Sequence, residues 1–366
     1  MDVEQKSRFT VTRSSQAVAA DQRAILLADP GFGRIFTDHM VTIRYTEGQG
    51  WHSHMVGPRE PFQIDPACAV LHYAQEIFEG MKAYRLSDGQ IAMFRPEENA
   101  RRFAESAERM AMPALPEDLF LEAVAELVKI DADWIPEGEG SLYLRPFLFA
   151  SETFLGVRPS QHVTFMVIAS PAGAYFKGGL KPVSLWLTEE YTRAGRGGMG
   201  AAKTGGNYAS SLVAQQEATA HGCDQVVFLD AQEMRYVEEL GGMNMYFVHD
   251  DGTIVTPATG TILEGITRAS IIELAGKLGH RVDERRFSVE EWRDGVTSGR
   301  IREIFACGTA AVVTPVGALK HAGGEVPAPA DTGEGGGDLT RSIRQALVDI
   351  QFGRAEDSFG WMHRIV

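Results

Sequence analysis

The stretch GMGAAKTGGNYASS, residues 198–211, sets one lysine, Lys203, in a bed of glycine, alanine and serine. Its reading decides between two architectures. Gly197 to Thr204 is one residue away from the phosphate-cradling pattern G-x-x-x-x-G-K-[ST], and QVVFLD further on ends in Asp230, as a magnesium-binding strand would. A phosphate loop needs glycine where Ala202 stands, and a helix that begins at the Lys-Thr pair. Gly205 and Gly206 follow instead, and two glycines cost about 2 kcal/mol in a first helical turn. The spacing therefore predicts that the helix begins at Tyr208 or Ala209, and a nucleotide-binding, doubly wound sheet loses its main signal. Two readings of Lys203 stay open. One is a solvated loop ammonium. The other is a Schiff-base lysine, which attacks a carbonyl only as the neutral amine and so needs burial or a nearby cation. Small neighbours would let a planar cofactor approach, and the Tyr208 hydroxyl could bond its phenolic oxygen.

Working outward, strands and helices mix without a strict βαβ alternation. That predicts an α+β (mixed α/β) chain rather than a doubly wound one. A length of 366 residues suggests two domains. The boundary falls in the glycine-rich region, giving an N-terminal domain over 1–180, a connection over 181–195 and a C-terminal domain with Lys203 over 196–366. Residues 1–60 read as irregular chain with short strands. ACAVLHYAQEIFEGMKAYR (67–85) has apolar residues near the helical period before a strand, and 81–95 reads as a hairpin around Ser87-Asp88-Gly89. SLYLRPFLFAS and HVTFMVIAS are strand-like, and HAGGEVPAPADTGEGGGD is a long Gly/Pro loop.

Composition narrows the partners. Formal net charge is −14, from 35 basic and 49 acidic residues, which argues against nucleic acid or anionic membrane. No apolar run approaches the roughly 20 residues that span a bilayer, and the polar start MDVEQKSRFTVTRSS carries no targeting core. Cys68, Cys223 and Cys307 are scattered, form no metal-ligand pattern and suit a reducing compartment, so the expected location is cytoplasmic.

Other segments supply candidate chemistry. LEGITRASII places Gly265 before a helix whose first turn carries Thr267, where free N–H groups and the dipole favour a phosphate. FACGTAAVV makes a second small-residue turn at Thr309. Either is also readable as a turn only. In RYVEELGGMNMYFV, strand alternation turns Glu238 and Glu239 to opposite sides. The inward one could hold a pyridine nitrogen protonated, or both could be solvated. Arg102 lies on a predicted helix, and Arg145 stands in the apolar strand LYLRPFLF, where it either pairs structurally or binds a substrate carboxylate.

Taken in order, FEGMKAYR, MFRPEENARRF, LYLRPF, GAYFKGG, AAKTGGNYASSL, EELGGMNMYFV, LEGITRASI, GTAAVVTPV and VDIQFGR resemble the class IV branched-chain amino acid aminotransferases. These are pyridoxal 5′-phosphate enzymes of fold type IV. The blocks run from about residue 30 to residue 354, nearly the whole chain. The resemblance implies two α/β domains with the cofactor between them, a homodimer, and transamination of Leu, Ile and Val with 2-oxoglutarate by alternating half-reactions. It makes Lys203 the cofactor lysine and proton carrier. It brings Tyr208 to the phenolic oxygen and Glu239, rather than Glu238, to the pyridine nitrogen. It gives the phosphate to Arg102, Ile266, Thr267 and Thr309. Tyr73, Phe78, Tyr143, Arg145 and Tyr175 match substrate-pocket positions, and Gly242 and Ala310 complete that set; no metal is implied. Gly242 stands where some members carry threonine, and Ala311 and Thr314 where some carry a CxxC redox pair, so no thiol switch of that kind is expected. D-amino acid aminotransferases and aminodeoxychorismate lyases share the fold, the lysine and the glutamate; FEGMKAY and GAYFKGG favour the branched-chain group.

Overall fold

The computed structural model describes residues 7–173, 180–333 and 335–365. The chain divides into two compact units. The first is Met1–Tyr175 with Ala202–Gly205 and Ile350–Val366, and the second is Phe176–Ala201 with Gly206–Asp349.

The first unit carries β1 (Thr10–Val11), α1 (Ala20–Ala28), β2 (His39–Thr46), β3 (Gly50–Pro58), α2 (Ala69–Tyr73), β4 (Glu76–Phe78), β5 (Met81–Arg85), β6 (Ile91–Phe94), α3 (Pro96–Arg109), α4 (Glu117–Ile130), β7 (Ser141–Ala150) and β8 (His162–Ala172). Together with a C-terminal strand introduced below, the described strands make a nine-stranded sheet. All its pairings are antiparallel except β1 with β3. Strand β7 shows how the sheet aims its side chains. Leu142, Leu144 and Leu148 are fully buried, while the intervening Tyr143, Arg145 and Phe147 are only half-buried on the other face. The leucines join a core in which the rings of Phe103 (α3), Phe120 (α4) and Phe165 (β8) lie 5.2–5.9 Å apart. Each such phenylalanine contributes about 1.5–3 kcal/mol by leaving water. Packing of α3 and α4 against one face therefore leaves the other face of β7 free to carry chemistry.

The second unit carries β9 (Val183–Leu187), α5 (Gly205–Ala220, its first residue grouped with the first unit), β10 (Gln225–Leu229), β11 (Val237–Leu240), β12 (Asn244–His249), β13 (Ile254–Thr256), α6 (Ile266–Lys277), β14 (Val282–Glu284), α7 (Val289–Thr297), β15 (Ile301–Gly308), β16 (Val312–His321), β17 (Gly324–Val326) and α8 (Asp338–Gln351, its last two residues grouped with the first unit). The last strand, β18 (Met362–Arg364), pairs with β6 of the first unit. The second sheet runs β11-β10-β9-β16-β15-β12-β13-β14, with β17 beside β16. It is mixed: β9 lies parallel to both β10 and β16, and β13 parallel to β14. Its core stacks Phe247 on Phe287 at 3.9 Å and sets Trp292 edge-on to Phe247 at 5.0 Å.

The α+β expectation stands, and four details differ. Within the expected connection 181–195, the strand-like PVSLWLTEEY forms β9, which is an interior strand of the second sheet rather than part of a linker. Residues 39–58 form a long hairpin rather than irregular chain. The helical spacing of 67–85 yields only α2, because Glu76, Ile77 and Phe78 pair with Phe149, Leu148 and Phe147 of β7; sheet pairing overrides the local period. Finally, α5 begins at Gly205, not at Tyr208. The Gly205 N–H donates to the Glu76 carboxylate, and a Cβ at Gly205 would collide with that same oxygen. The glycine lets the anion approach the helix N-terminus without moving, which offsets its poor helix propensity.

Candidate active site

The candidate site residues fall into two groups, one in each unit. In the first unit, Lys203 is held by its backbone. Its N–H donates to Ser106 Oγ of α3 at 3.0 Å, and its carbonyl accepts from the Phe78 N–H of β4 at 2.9 Å. Its Nζ stands 4.9 Å from the centre of the Phe78 ring. Arg145 Cζ stands 4.8 Å from the same ring, and Arg145 Nη2 donates to the Tyr143 hydroxyl at 3.2 Å. Arg145 Nε is buried and has no hydrogen-bond partner among the described residues. A buried guanidinium N–H beside a primary amine is suited to a carboxylate ligand. One turn of α3 before Ser106 lies Arg102, buried and forked onto Glu79 through Nε and Nη2, each at 2.8 Å. Asn99 Nδ2 donates to Glu79 Oε2 at 2.7 Å. Lys203, Phe78, Tyr143, Arg145 and Arg102 are thus drawn onto one neighbourhood of β4, β7 and α3.

In the second unit the centre is Glu239. Its Oε1 stands 2.6 Å from Arg193 Nη1 and accepts from the Leu263 N–H at 3.3 Å. The Arg193 guanidinium also lies 5.7 Å from the Tyr208 ring. A Cβ on Gly242 would sit 3.8 Å from Tyr208 Cε1, so the glycine keeps the space beside that ring open. Strand alternation does separate the two glutamates, but both faces of β11 are covered and neither is solvated. Glu238 accepts from the Thr261 hydroxyl, and burial pushes its carboxyl up. Gly265 precedes α6, and Ile266 and Thr267 occupy its first turn, where geometry leaves backbone N–H groups without helical acceptors. Thr309 and Ala310 form the half-buried turn between β15 and β16.

Two further residues matched to the substrate pocket remain to be located. Tyr73 is exposed at the end of α2, where its hydroxyl donates to the Leu155 carbonyl. Tyr175 lies outside the described residues. The nucleotide-loop reading of Lys203 has no support: the N-terminus of α5 faces the Glu76 carboxylate, where a phosphate loop would need a phosphate.

With this geometry in view, relatives supply the context. Residues 76–319 match the family described as amino-transferase class IV. The chain belongs to that family. This class IV aminotransferase is 55% identical over 354 residues to a probable branched-chain-amino-acid aminotransferase of Streptomyces coelicolor, covering 96% of this chain and 97% of the relative. It is 53% identical over 364 residues to a branched-chain-amino-acid aminotransferase of Mycolicibacterium smegmatis, covering 98% of each. It also superposes on the solved branched-chain amino acid aminotransferase of Escherichia coli, with a TM-score of 0.70 and 28% identity, covering 89% of this chain and 99% of that one.

Sequence reading of the class IV aminotransferase misses Arg193, Glu79 and Glu76. Arg193 sits in TRAGRGG, whose composition is that of a solvated loop, and Glu79 is simply one letter of FEGMKAYR. No local signal marks either as a partner. What marks Glu76 is indirect: a glycine, Gly205, against which the Glu76 carboxylate comes close.

Proposed function

We propose that this class IV aminotransferase transfers the amino group of Leu, Ile or Val to 2-oxoglutarate with pyridoxal 5′-phosphate, giving the branched-chain 2-oxo acid and glutamate in two alternating half-reactions. The observation that carries the reading is the run of relatives so named at 51–55% identity over nearly the whole chain. The donor set fits the cofactor. The first unit offers a primary amine, Lys203, and the second a buried carboxylate, Glu239, a phenol, Tyr208, and a helix N-terminus at Ile266 and Thr267. When bound, pyridoxal phosphate supplies the electron sink for the charge left at Cα.

The chain's own residues do the rest. Lys203 Nζ would take the Cα proton as a general base and, once protonated, serve as the acid that gives it back. Arg193 keeps Glu239 an anion, so that Glu239 can hold the pyridine nitrogen's proton. Tyr208 donates to the phenolic oxygen. Arg102, the first turn of α6 and Thr309 take the phosphate. Phe78 is an apolar wall, and Arg145, with its spare N–H, receives the distal carboxylate of glutamate. Tyr73, Tyr143, Tyr175, Gly242 and Ala310 complete the pocket. One pocket can serve both substrates because each methylene contributes only about 1–3 kcal/mol of discrimination. We read the enzyme further as a cytoplasmic homodimer, a reading that light scattering on the eluted peak addresses directly.

The purified protein should be yellow, and borohydride should fix the cofactor mass on the peptide holding Lys203. Lys203→Ala should abolish turnover in an assay of Leu, Ile, Val and D-Ala against 2-oxoglutarate. A colourless protein that binds ATP with magnesium, or a Lys203→Ala variant at the wild-type rate, would reverse the assignment.

A further inference from the structure

The segment that carries Lys203 is gripped by a three-residue strand. Glu76 and Phe78 are two apart on β4 and so project from the same side of the strand. The Phe78 N–H holds the Lys203 carbonyl at 2.9 Å, and two residues along the chain the Glu76 carboxylate accepts from the Gly205 N–H. Gly205 is the first residue of α5, where N–H groups lack helical acceptors and the dipole favours an anion. A side chain at Gly205 would collide with the Glu76 oxygen. Glu76 is half-buried: burial pushes its carboxyl up, against the pull of the Gly205 N–H, the Thr204 side chain and the Arg145 charge. An anion held at that cost against the backbone of the lysine's own segment has more to do than fill space.

We propose that Glu76 is a positioning residue for Lys203: its carboxylate closes the N-terminus of α5 at Gly205 and thereby fixes the backbone turn that presents the Lys203 amine to the Phe78 ring. The inference rests on the reading of Lys203 as the cofactor lysine. It assigns Glu76 no contact with substrate. Its effect falls on how often the amine stands in reach, hence on kcat, and not on how tightly the amino acid binds.

Two variants separate the parts of this role. Glu76→Gln keeps an acceptor oxygen and removes the charge; Glu76→Ala removes both. In the holoenzyme, amide hydrogen exchange at Gly205 and the first turn of α5 should accelerate about tenfold in Glu76→Ala, the scale of one lost charge-assisted hydrogen bond, with Glu76→Gln between it and wild type. Exchange in β7 and β8 should stay at the wild-type rate. The single-turnover rate with Leu should fall in the same order while KM holds. Unmoved exchange at Gly205, or a rise in KM at constant kcat, overturns the role. If Glu76→Ala loses protection throughout, Glu76→Gln decides: faster exchange confined to Gly205 and its turn supports it, and wild-type exchange there overturns it. Borohydride labelling of the wild type separates the two readings. Cofactor mass on another lysine sinks the functional reading whatever the exchange shows; mass on Lys203 with unmoved exchange sinks only the part given to Glu76.

Discussion

Arg193 Nη1 stands 2.6 Å from Glu239 Oε1, and the two side chains retain only 1% and 3% of their exposure. Neither ion is well hydrated there, so the opposite charge of the other offsets much of the cost of burial. The pair thus sets a buried cation against the carboxylate proposed to face the cofactor.

Removing Arg193 alone should therefore be severe. Arg193→Met leaves a buried carboxylate without its cation, a loss of about 3–5 kcal/mol in urea unfolding. Glu239 should then take up a proton and cease to be an acceptor, so kcat should fall along with stability. The double variant Arg193→Met/Glu239→Gln should recover a large part of the stability and none of the turnover. If the two single costs simply add, the residues are not coupled and the ion pair does not have this role.

Glu238 calls for a different experiment. Burial raises its carboxyl above the ordinary value, with the Thr261 hydroxyl pulling the other way. The folded chain therefore binds this proton more tightly than the unfolded chain does. The stability so gained is present at and below the ordinary carboxyl range, about pH 4.5, and is lost as pH rises through the raised value. Glu238→Gln keeps an acceptor for Thr261 and has nothing to titrate. Relative to wild type, the variant should gain stability with rising pH over that window. A constant difference at every pH would show that Glu238 is not the group responsible.

These side chains also show where sequence reading succeeds and where it stops. The alternation of Leu142, Tyr143, Leu144 and Arg145 is enough to place the tyrosine and arginine away from the core, because a strand has only two faces. The start of α5 is not legible. Local propensity penalises Gly205, and the carboxylate that compensates lies 129 residues earlier. The choice between Glu238 and Glu239 is half legible: alternation separates them, but the sequence does not show that Thr261 and Arg193 will bury both. β9 is half legible as well: PVSLWLTEEY reads as a strand, but its place between β10 and β16 inside the second sheet does not follow from the glycines around it, which read as a linker.

Gly80 offers a test of the pocket from the backbone side. A Cβ there would overlap the Tyr143 hydroxyl and lie 2.9 Å from Tyr143 Cζ. Gly80→Ala must push that ring aside and break its 3.2 Å hydrogen bond from Arg145. A hydrogen bond to a charged group contributes about 1.5–3 kcal/mol, so kcat/KM for glutamate should fall by about tenfold or more. The value for Leu, which has no distal carboxylate, should fall less. Equal losses for both amino acids would mean that Arg145 and Tyr143 do not act on the carboxylate.

The cysteines give the last prediction. Cys68, Cys223 and Cys307 are free and buried. The Cys68 thiol donates to the Ala150 carbonyl at 3.2 Å. Burial raises the Cys223 thiol, and it pushes Cys307, on β15, up to about 12. Thiolate is the reactive form, so at pH 8 roughly one Cys307 in ten thousand is competent. No cysteine stands at Ala311 or Thr314 to complete a nearby pair. The native enzyme should therefore react slowly, or not at all, with a thiol-titrating disulfide reagent, and the denatured chain should show all three thiols at once. Mild peroxide should leave turnover intact and form no disulfide. Loss of activity that dithiothreitol restores would contradict the burial argument, because it would require a thiol that solvent can reach and a second one close enough to bond it.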